Sequence, residues 1–334
     1  MNKVVVVGTT TWGTTLGIVI ANNGNPVTLL ARTDDEAQEM SLNNCNNRFL
    51  PGVDFPNRLR ISSDVSKALV ECELLIFAVP SISFRQNIRW VKDYIDGSMI
   101  VVSATKGLEQ STGQRMSQVL IDELPDGWQQ NIAVISGPNL AAEIIDGHPT
   151  STVVAAYNHD VAEIVQVILM NSKMRVYTSK DVTGIEFGGA LKNIIALGAG
   201  ISDGLGYGDN TKSALITRGL SEITRLGTAA GADPQTFAGL AGVGDIIATC
   251  NSKLSRNYSV GVQLTKGLIL EDILLDMDNV VESVYTTTAA LSIATSLGVD
   301  MPLTRALHRV LYENLDPRQA VLELMGRPPK SEDS

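Results

Sequence analysis

The most unusual chemical group in this chain is a lysine set in an apolar helical pattern, Glu186-Phe187-Gly188-Gly189-Ala190-Leu191-Lys192-Asn193-Ile194-Ile195-Ala196-Leu197-Gly198. The small residues before Lys192 let another backbone or a ligand come close. An ammonium in such surroundings is costly unless it is paired. Burial pushes a lysine toward neutrality, which suits a general acid or base. The alternative is a lysine whose stem is buried and whose head reaches water at a domain boundary. A bare carboxylate, Asp245, stands in the Gly-rich stretch Gly239-Leu240-Ala241-Gly242-Val243-Gly244-Asp245 and wants a partner, for which a lysine is the sharper reading. An Asp there also suits a helix N-cap. Ser255, Arg256 and Asn257 open a further helical pattern. Hydroxyl, guanidinium and amide beside free backbone N–H groups make a phosphate cradle, against the plainer reading of a capping Ser and a solvated Arg. Glu282 lies where an apolar segment turns into a helix and alone carries no assignment. His148, His159 and His308 form neither ligand spacing nor a triad, so no metal is expected.

The elements that position these groups fall into two kinds. Val4-Val5-Val6-Val7 reads as a buried strand, Gly8 ends it, and a helix follows through Leu16, Ile18, Val19 and Ile20. A strand, a Gly turn and a helix N-terminus form an anion site. The dinucleotide fingerprint Gly-x-Gly-x-x-Gly belongs here. Gly8 and Gly13 supply its first and third glycines, and Thr10 replaces the second. Val27–Ala31 is a second strand. Arg32 stands at its end, about where the fingerprint expects an acid. A guanidinium there stacks on adenine, pairs with a 2′-phosphate, or is simply solvated. Strands are predicted at 74–79, 99–103, 132–135, 152–156 and 174–177, with helical patterns between them, and the Asn- and Pro-rich segment 43–56 reads as a long connection.

This alternation predicts an α/β fold, a Rossmann-like doubly wound parallel sheet over residues 1–179. Arg32, Pro80, Lys106 and Gly137 all fall at carboxyl ends of its strands, where such sheets bind ligands. From Lys180 the strand-like runs disappear. An all-helical second domain is expected over 180–326, carrying the substrate site, and a disordered tail over 327–334.

Bulk properties agree. The 334 residues suffice for two domains. A net charge of −10 argues against nucleic acid and against a polybasic membrane anchor. The three cysteines, Cys45, Cys72 and Cys250, make no zinc or CxxC pattern and read as reduced thiols of a cytoplasmic protein. No secretory leader and no membrane span are expected.

The motifs combine in one order: Gly8…Thr11-Trp12-Gly13-Thr14, Asn47-Arg48-Phe49-Leu50-Pro51-Gly52, Ala78-Val79-Pro80-Ser81, Thr105-Lys106-Gly107-Leu108-Glu109 and Ser136-Gly137-Pro138-Asn139-Leu140-Ala141. They continue with Gly189-Ala190-Leu191-Lys192-Asn193, Gly242-Val243-Gly244-Asp245, Ser255-Arg256-Asn257 and Val281-Glu282-Ser283-Val284. From Lys3 to about Gly326 the chain thereby resembles the NAD(P)-dependent glycerol-3-phosphate dehydrogenases of the bacterial biosynthetic type. The resemblance implies reversible hydride transfer between NADH or NADPH and dihydroxyacetone phosphate, giving sn-glycerol 3-phosphate for phospholipid biosynthesis. It implies Lys192 as proton donor and acceptor, with Asp245 holding Lys192 and the substrate hydroxyl. Lys106 would lie between nicotinamide and substrate. Gly137 and Asn139 would touch the substrate, and Ser255, Arg256 and Asn257 would hold its phosphate. Gly8, Thr10, Thr11, Trp12, Gly13, Arg32, Lys106, Ala141, Arg256, Val280 and Glu282 would line the cofactor. A homodimer is the base expectation for such an enzyme.

The chain departs from the family pattern at few positions. Thr9, Thr10 and Thr11 fill the loop where the family has Ala-Gly-Ser. The Thr10 side chain either displaces the pyrophosphate or hydrogen-bonds to it. Asn139 replaces a Ser, and Ser283 a Gly. Two other readings are a related two-domain dehydrogenase of another small hydroxy acid, and a non-catalytic nucleotide-binding regulator with a decayed loop. The Ser255-Arg256-Asn257 segment favours a phosphorylated substrate, and intact Lys106, Lys192 and Asp245 favour catalysis. Arg32 permits NADPH without excluding NADH.

Overall fold

A computed structural model of the chain describes residues 2–277, 280–329 and 331. Val4–Val7 form β1, and all four side chains are buried. They alternate between the faces of the sheet. Val4 and Val6 join one apolar cluster with Leu74 and Ile76, while Val5 and Val7 join another with Leu75 and Phe77. A strand buried on both faces needs helices on both. The chain supplies them in alternation: α1 (Thr11–Asn22), β2 (Val27–Leu30), α2 (Asp34–Asn43), β3 (Cys45–Asn46), β4 (Leu50–Asp54), β5 (Leu59–Ser62), α3 (Val65–Ala68), β6 (Leu74–Phe77) and α4 (Phe84–Val91). Then come β7 (Ile100–Ser103), α5 (Met116–Glu123), β8 (Ile132–Ser136), α6 (Ala141–Ile145), β9 (Thr150–Ala156), α7 (His159–Leu169) and β10 (Met174–Ser179).

Eight strands form one sheet in the order β10-β9-β8-β7-β6-β1-β2-β5. Every neighbouring pair is parallel except β8 and β9. Two elements go beyond the sequence reading. Leu59–Ser62 adds an edge strand against β2, too short and too polar in alternation to stand out. The 43–56 segment is not a bare connection: β3 and β4 pair antiparallel within it. Asn46, buried there, donates from Nδ2 to the carbonyl of Thr9 (2.7 Å) and to Thr14 Oγ1 (2.8 Å). This hairpin thus fastens the glycine turn from outside the sheet.

Past β10 the described chain is helical: α8 (Val182–Gly204), α9 (Asp209–Ala229), α10 (Asp245–Asn251), α11 (Arg256–Leu264), α12 (Leu270–Leu275), α13 (Glu282–Leu297), α14 (Pro302–Tyr312) and α15 (Pro317–Met325). Helix α8 is apolar nearly all round and buried over almost its whole length, as a central helix must be. Two carboxylates fasten this half to the sheet. Glu186 of α8 accepts from Arg115 Nη1 (2.5 Å), from the Ser117 N–H (2.7 Å) and from Ser117 Oγ (2.6 Å), all at the start of α5. Glu282, first residue of α13, accepts from the Ser81 N–H (3.0 Å) and Ser81 Oγ, just past β6. Of the 327–334 tail, Arg327 pairs with Asp300 (2.9 Å), and Lys330 and Glu332–Ser334 lie outside the described residues.

Candidate active site

The structure brings Lys106, Lys192 and Asp245 together from three places in the chain. Lys106 follows the end of β7. Lys192 sits mid-way along α8. Asp245 begins α10 directly after a π-helical turn, Leu240–Gly244. Its carboxylate makes no helix-capping hydrogen bond among the described residues. Instead Oδ1 accepts from Lys192 Nζ (2.6 Å) and Oδ2 from Lys106 Nζ (2.6 Å). Asp245 is 1% exposed and Lys192 8%, so Lys192 does not reach out to bulk water. Thr249, one turn along α10, accepts from Lys192 Nζ (2.7 Å) and donates to the Asp245 carbonyl (2.6 Å). Lys106 Nζ also donates to the Gly137 carbonyl (2.6 Å). Thr249 was not singled out from sequence, although its spacing of four from Asp245 puts both on one helix face.

Close approach explains the small residues beside Lys192. A Cβ on Gly189 would stand 2.3 Å from Ser136 Oγ at the end of β8, and one on Gly188 would stand 2.4 Å from the Ala241 carbonyl in the π-turn. Glycines at both positions let α8 lie against strand end and turn at once. With two ammonium groups sharing one carboxylate, the buried cluster has a formal surplus of positive charge. Burial pushes the Lys106 ammonium down to about 8, the Asp245 charge opposes this, and the neighbouring Lys192 adds to it. Such a cluster can supply a proton and stabilise a developing alkoxide.

A cleft of about 570 Å³ runs along the ends of β1, β2 and β6, lined by Gly8, Thr10, Arg32, Arg48, Pro80 and Trp90 among others; Lys106, Lys192 and Asp245 are not among its lining residues. Thr10 is the N-cap of α1. Its Oγ1 accepts from the Gly13 N–H (3.1 Å) and donates to the Ala78 carbonyl (2.8 Å). The hydroxyl is therefore engaged within the chain, a role absent from the two considered from sequence. Thr10→Ala is expected to lower stability by about 1 kcal/mol, and Thr10→Gly by only a few tenths, as for other capping threonines. Urea unfolding midpoints of the two variants check this order. Thr11 Oγ1 donates to the Phe49 carbonyl (3.1 Å), tying the loop to the hairpin. The Arg32 guanidinium lies 4.6 Å over the Trp90 ring and donates to Asn87 Oδ1 (3.3 Å).

The cleft suits a dinucleotide by its place at the strand ends and by its helix N-terminus. Beside the lysine cluster, next to Gly189 and the Lys106 stem, Ser136 Oγ is buried with no hydrogen-bond partner among the described residues, and so is Asn139 Oδ1 just past β8. Asn139 Nδ2 donates to Thr152 Oγ1 (3.1 Å). Trp12 Nε1 is likewise buried without a partner among those residues. Ala141 opens α6.

The Ser255-Arg256-Asn257 segment divides. Ser255 is buried and N-caps α11, accepting from the Tyr258 N–H (3.3 Å). Asn257 is turned inward: its Nδ2 donates to Asn193 Oδ1 (3.0 Å) and its Oδ1 accepts from the Ser283 N–H (3.0 Å). It fixes α8, α11 and α13 to one another, next to Lys192. Arg256 is exposed and donates from Nη1 to the Val280 carbonyl (2.8 Å). Of the three, Arg256 is the side chain left facing outward. Glu282 is held by Ser81 as described above. Burial raises its carboxyl above the usual range, against the Ser81 hydrogen bonds and the Arg256 charge, which lower it.

Residues 3–162 match the family profile described as NAD-dependent glycerol-3-phosphate dehydrogenase N-terminus, and residues 181–322 match its C-terminus counterpart. A glycerol-3-phosphate dehydrogenase (NAD(P)+) of Dehalococcoides mccartyi is 51% identical over 327 residues, spanning 98% of this chain and 91% of that one. One from Geobacillus thermodenitrificans is 44% identical, spanning 99% and 97%. The crystal structure of a glycerol-3-phosphate dehydrogenase from Coxiella burnetii superposes with a TM-score of 0.92 at 36% identity, covering 98% of this chain and 99% of that one.

Proposed function

The chain belongs to the NAD-dependent glycerol-3-phosphate dehydrogenase family, and from that premise we propose how its residues divide the work of the reaction. The activity is NAD(P)-dependent interconversion of dihydroxyacetone phosphate and sn-glycerol 3-phosphate. Bound nicotinamide supplies or accepts the hydride. In the reducing direction Lys192 gives a proton to the ketone oxygen, and in the oxidising direction it takes one from the hydroxyl. Asp245 holds Lys192 and Lys106 at fixed separation. Lys106 places a second positive charge beside the oxygen as it gains negative charge. Arg256 and the first turn of α11 hold the substrate phosphate, with Ser255 and Asn257 shaping that turn. Gly137 and Asn139 meet the substrate from the sheet side. Gly8, Thr10, Thr11, Trp12, Gly13, Arg32, Ala141, Val280 and Glu282 border the coenzyme. Residues 1–179 serve as the coenzyme domain and 180–326 as the substrate domain.

The observation that carries this reading is the buried Lys106–Asp245–Lys192 cluster, 2.6 Å on each side of the carboxylate, just past the carboxyl end of β7. We further propose a cytoplasmic homodimer that feeds phospholipid synthesis. Three unpaired thiols support a reducing compartment, and symmetric dimers are the commonest assembly. No helix among the described residues is long and apolar enough to cross a membrane.

The test is oxidation of NADH or NADPH by dihydroxyacetone phosphate. Turnover is expected with at least one of them. Lys106 is charged below its pKa and neutral above it, so kcat/KM for reduction should hold near neutrality and fall as pH rises through about 8. Lys106→Met should flatten that limb at a lower rate. Absence of turnover with both coenzymes in folded protein overturns the reading.

A further inference from the structure

The coenzyme cleft contains a carboxylate that the reaction described above does not use. Glu36 lies in the first turn of α2, half-buried, and lines the cleft. Its two oxygens hold the two chain segments that bound the cleft on this side. Oε2 accepts from the Arg32 N–H just past β2 (2.9 Å), and Oε1 accepts from Thr9 Oγ1 on the glycine turn. The Glu36 N–H donates to Thr33 Oγ1 (3.2 Å), the N-cap of the same helix. Thr9 is itself fixed, since its carbonyl accepts from the buried Asn46. An exposed glutamate would sample many rotamers. This one is pinned between the turn and the end of the second strand.

In dinucleotide folds that junction is where an acid meets the 2′-hydroxyl of the adenosine ribose, or where a cation meets the 2′-phosphate. The sequence position that usually supplies the acid holds Arg32 here. The acid arrives four residues later, from the helix. We propose that Glu36 sets the coenzyme preference of this chain, accepting the ribose 2′-hydroxyl of NADH and disfavouring the 2′-phosphate of NADPH. This rests on the reading of the cleft as the coenzyme site.

The charges around Glu36 point the same way. Asp35, Glu36 and Glu39 line the cleft against two cations, Arg32 and Arg48. Both guanidiniums are engaged by rings: Arg32 over Trp90 of the cleft wall at 4.6 Å, Arg48 over the neighbouring Phe49 at 4.8 Å. A 2′-phosphate would bring a near-dianion against a fixed carboxylate, and at contact distance salt screens such repulsion poorly. A ribose hydroxyl instead donates to it. A site built to accept from a hydroxyl strongly rejects analogues that cannot donate.

Fluorescence titration of NADH and NADPH into the wild-type chain, Glu36→Gln and Glu36→Ala tests this. Wild type is expected to bind NADH roughly tenfold tighter than NADPH or better, and Glu36→Gln to reduce that ratio by about tenfold, mainly through tighter NADPH. An unchanged ratio in both variants overturns the proposal. Should the variants not fold, wild-type binding of adenosine monophosphate against adenosine 2′,5′-bisphosphate decides: tighter bisphosphate binding overturns it, weaker binding supports it. Binding of neither coenzyme by folded wild type overturns the reading of the cleft, and the assignment of Glu36 with it.

Discussion

Lys192→Met is expected to lower kcat for ketone reduction by about 10³-fold while leaving coenzyme affinity within about twofold. Methionine follows the lysine stem along the apolar face of α8 and removes only the ammonium. Lys192 Nζ touches Asp245 and Thr249, not the glycine turn or the walls of the coenzyme cleft. Its loss leaves Asp245 paired one-to-one with Lys106, so no buried charge is orphaned and the fold persists. The substitution therefore separates chemistry from binding. A proton donor acts on the transition state, so kcat and kcat/KM for dihydroxyacetone phosphate should fall together. Steady-state rates and a coenzyme titration on the same preparation check both halves. A kcat within tenfold of wild type would transfer the proton to another group, with Lys106 the nearest candidate.

The sheet was legible because its strands are short β-branched runs buried on both faces, and such runs have few alternatives to a parallel core. Leu59–Ser62 and the Cys45–Asp54 hairpin were not, because their stability comes from partners far along the chain rather than from their own pattern. The lysine in the small-residue helix was legible for a comparable reason. Gly188, Gly189 and an apolar surround have a cost that only close packing offsets, and close packing around a lysine calls for a counter-ion. Pairing of one carboxylate with two lysines was not legible from the residues alone. It depends on a π-turn that brings Asp245 onto a helix and on a strand end that carries Lys106 to the same point. Asn257 shows the limit from the other side. Its type and spacing fit a ligand amide, yet its hydrogen bonds are made to Asn193 and Ser283. Spacing places a residue near a helix start but does not tell which way its side chain turns.

Asp245→Asn should have the larger effect on the folded state. The amide matches the carboxylate in shape but leaves two buried ammonium groups, each formerly 2.6 Å from an anion, facing a neutral group. Removing one partner from a buried ion pair typically costs about 3–5 kcal/mol. The pH dependence distinguishes this cause from poor packing. In the wild type Asp245 raises Lys106 against burial, and the result is about 8 compared with 10.5 for an ordinary lysine. Without that carboxylate the folded-state value must drop further. Between the folded value and the unfolded 10.5 the unfolded chain binds more protons, so stability rises with pH across that window. The window is wider in the variant than in the wild type. The destabilisation by Asp245→Asn should therefore be greatest below neutrality and shrink as pH is raised toward 9, and the alkaline limb of any residual activity should move below 8. Urea unfolding at a series of pH values reads the first, and rate profiles read the second. A loss of stability that stays constant from acid to alkali would mean that packing or hydrogen bonding, rather than the shared charge, is what Asp245 contributes to the fold.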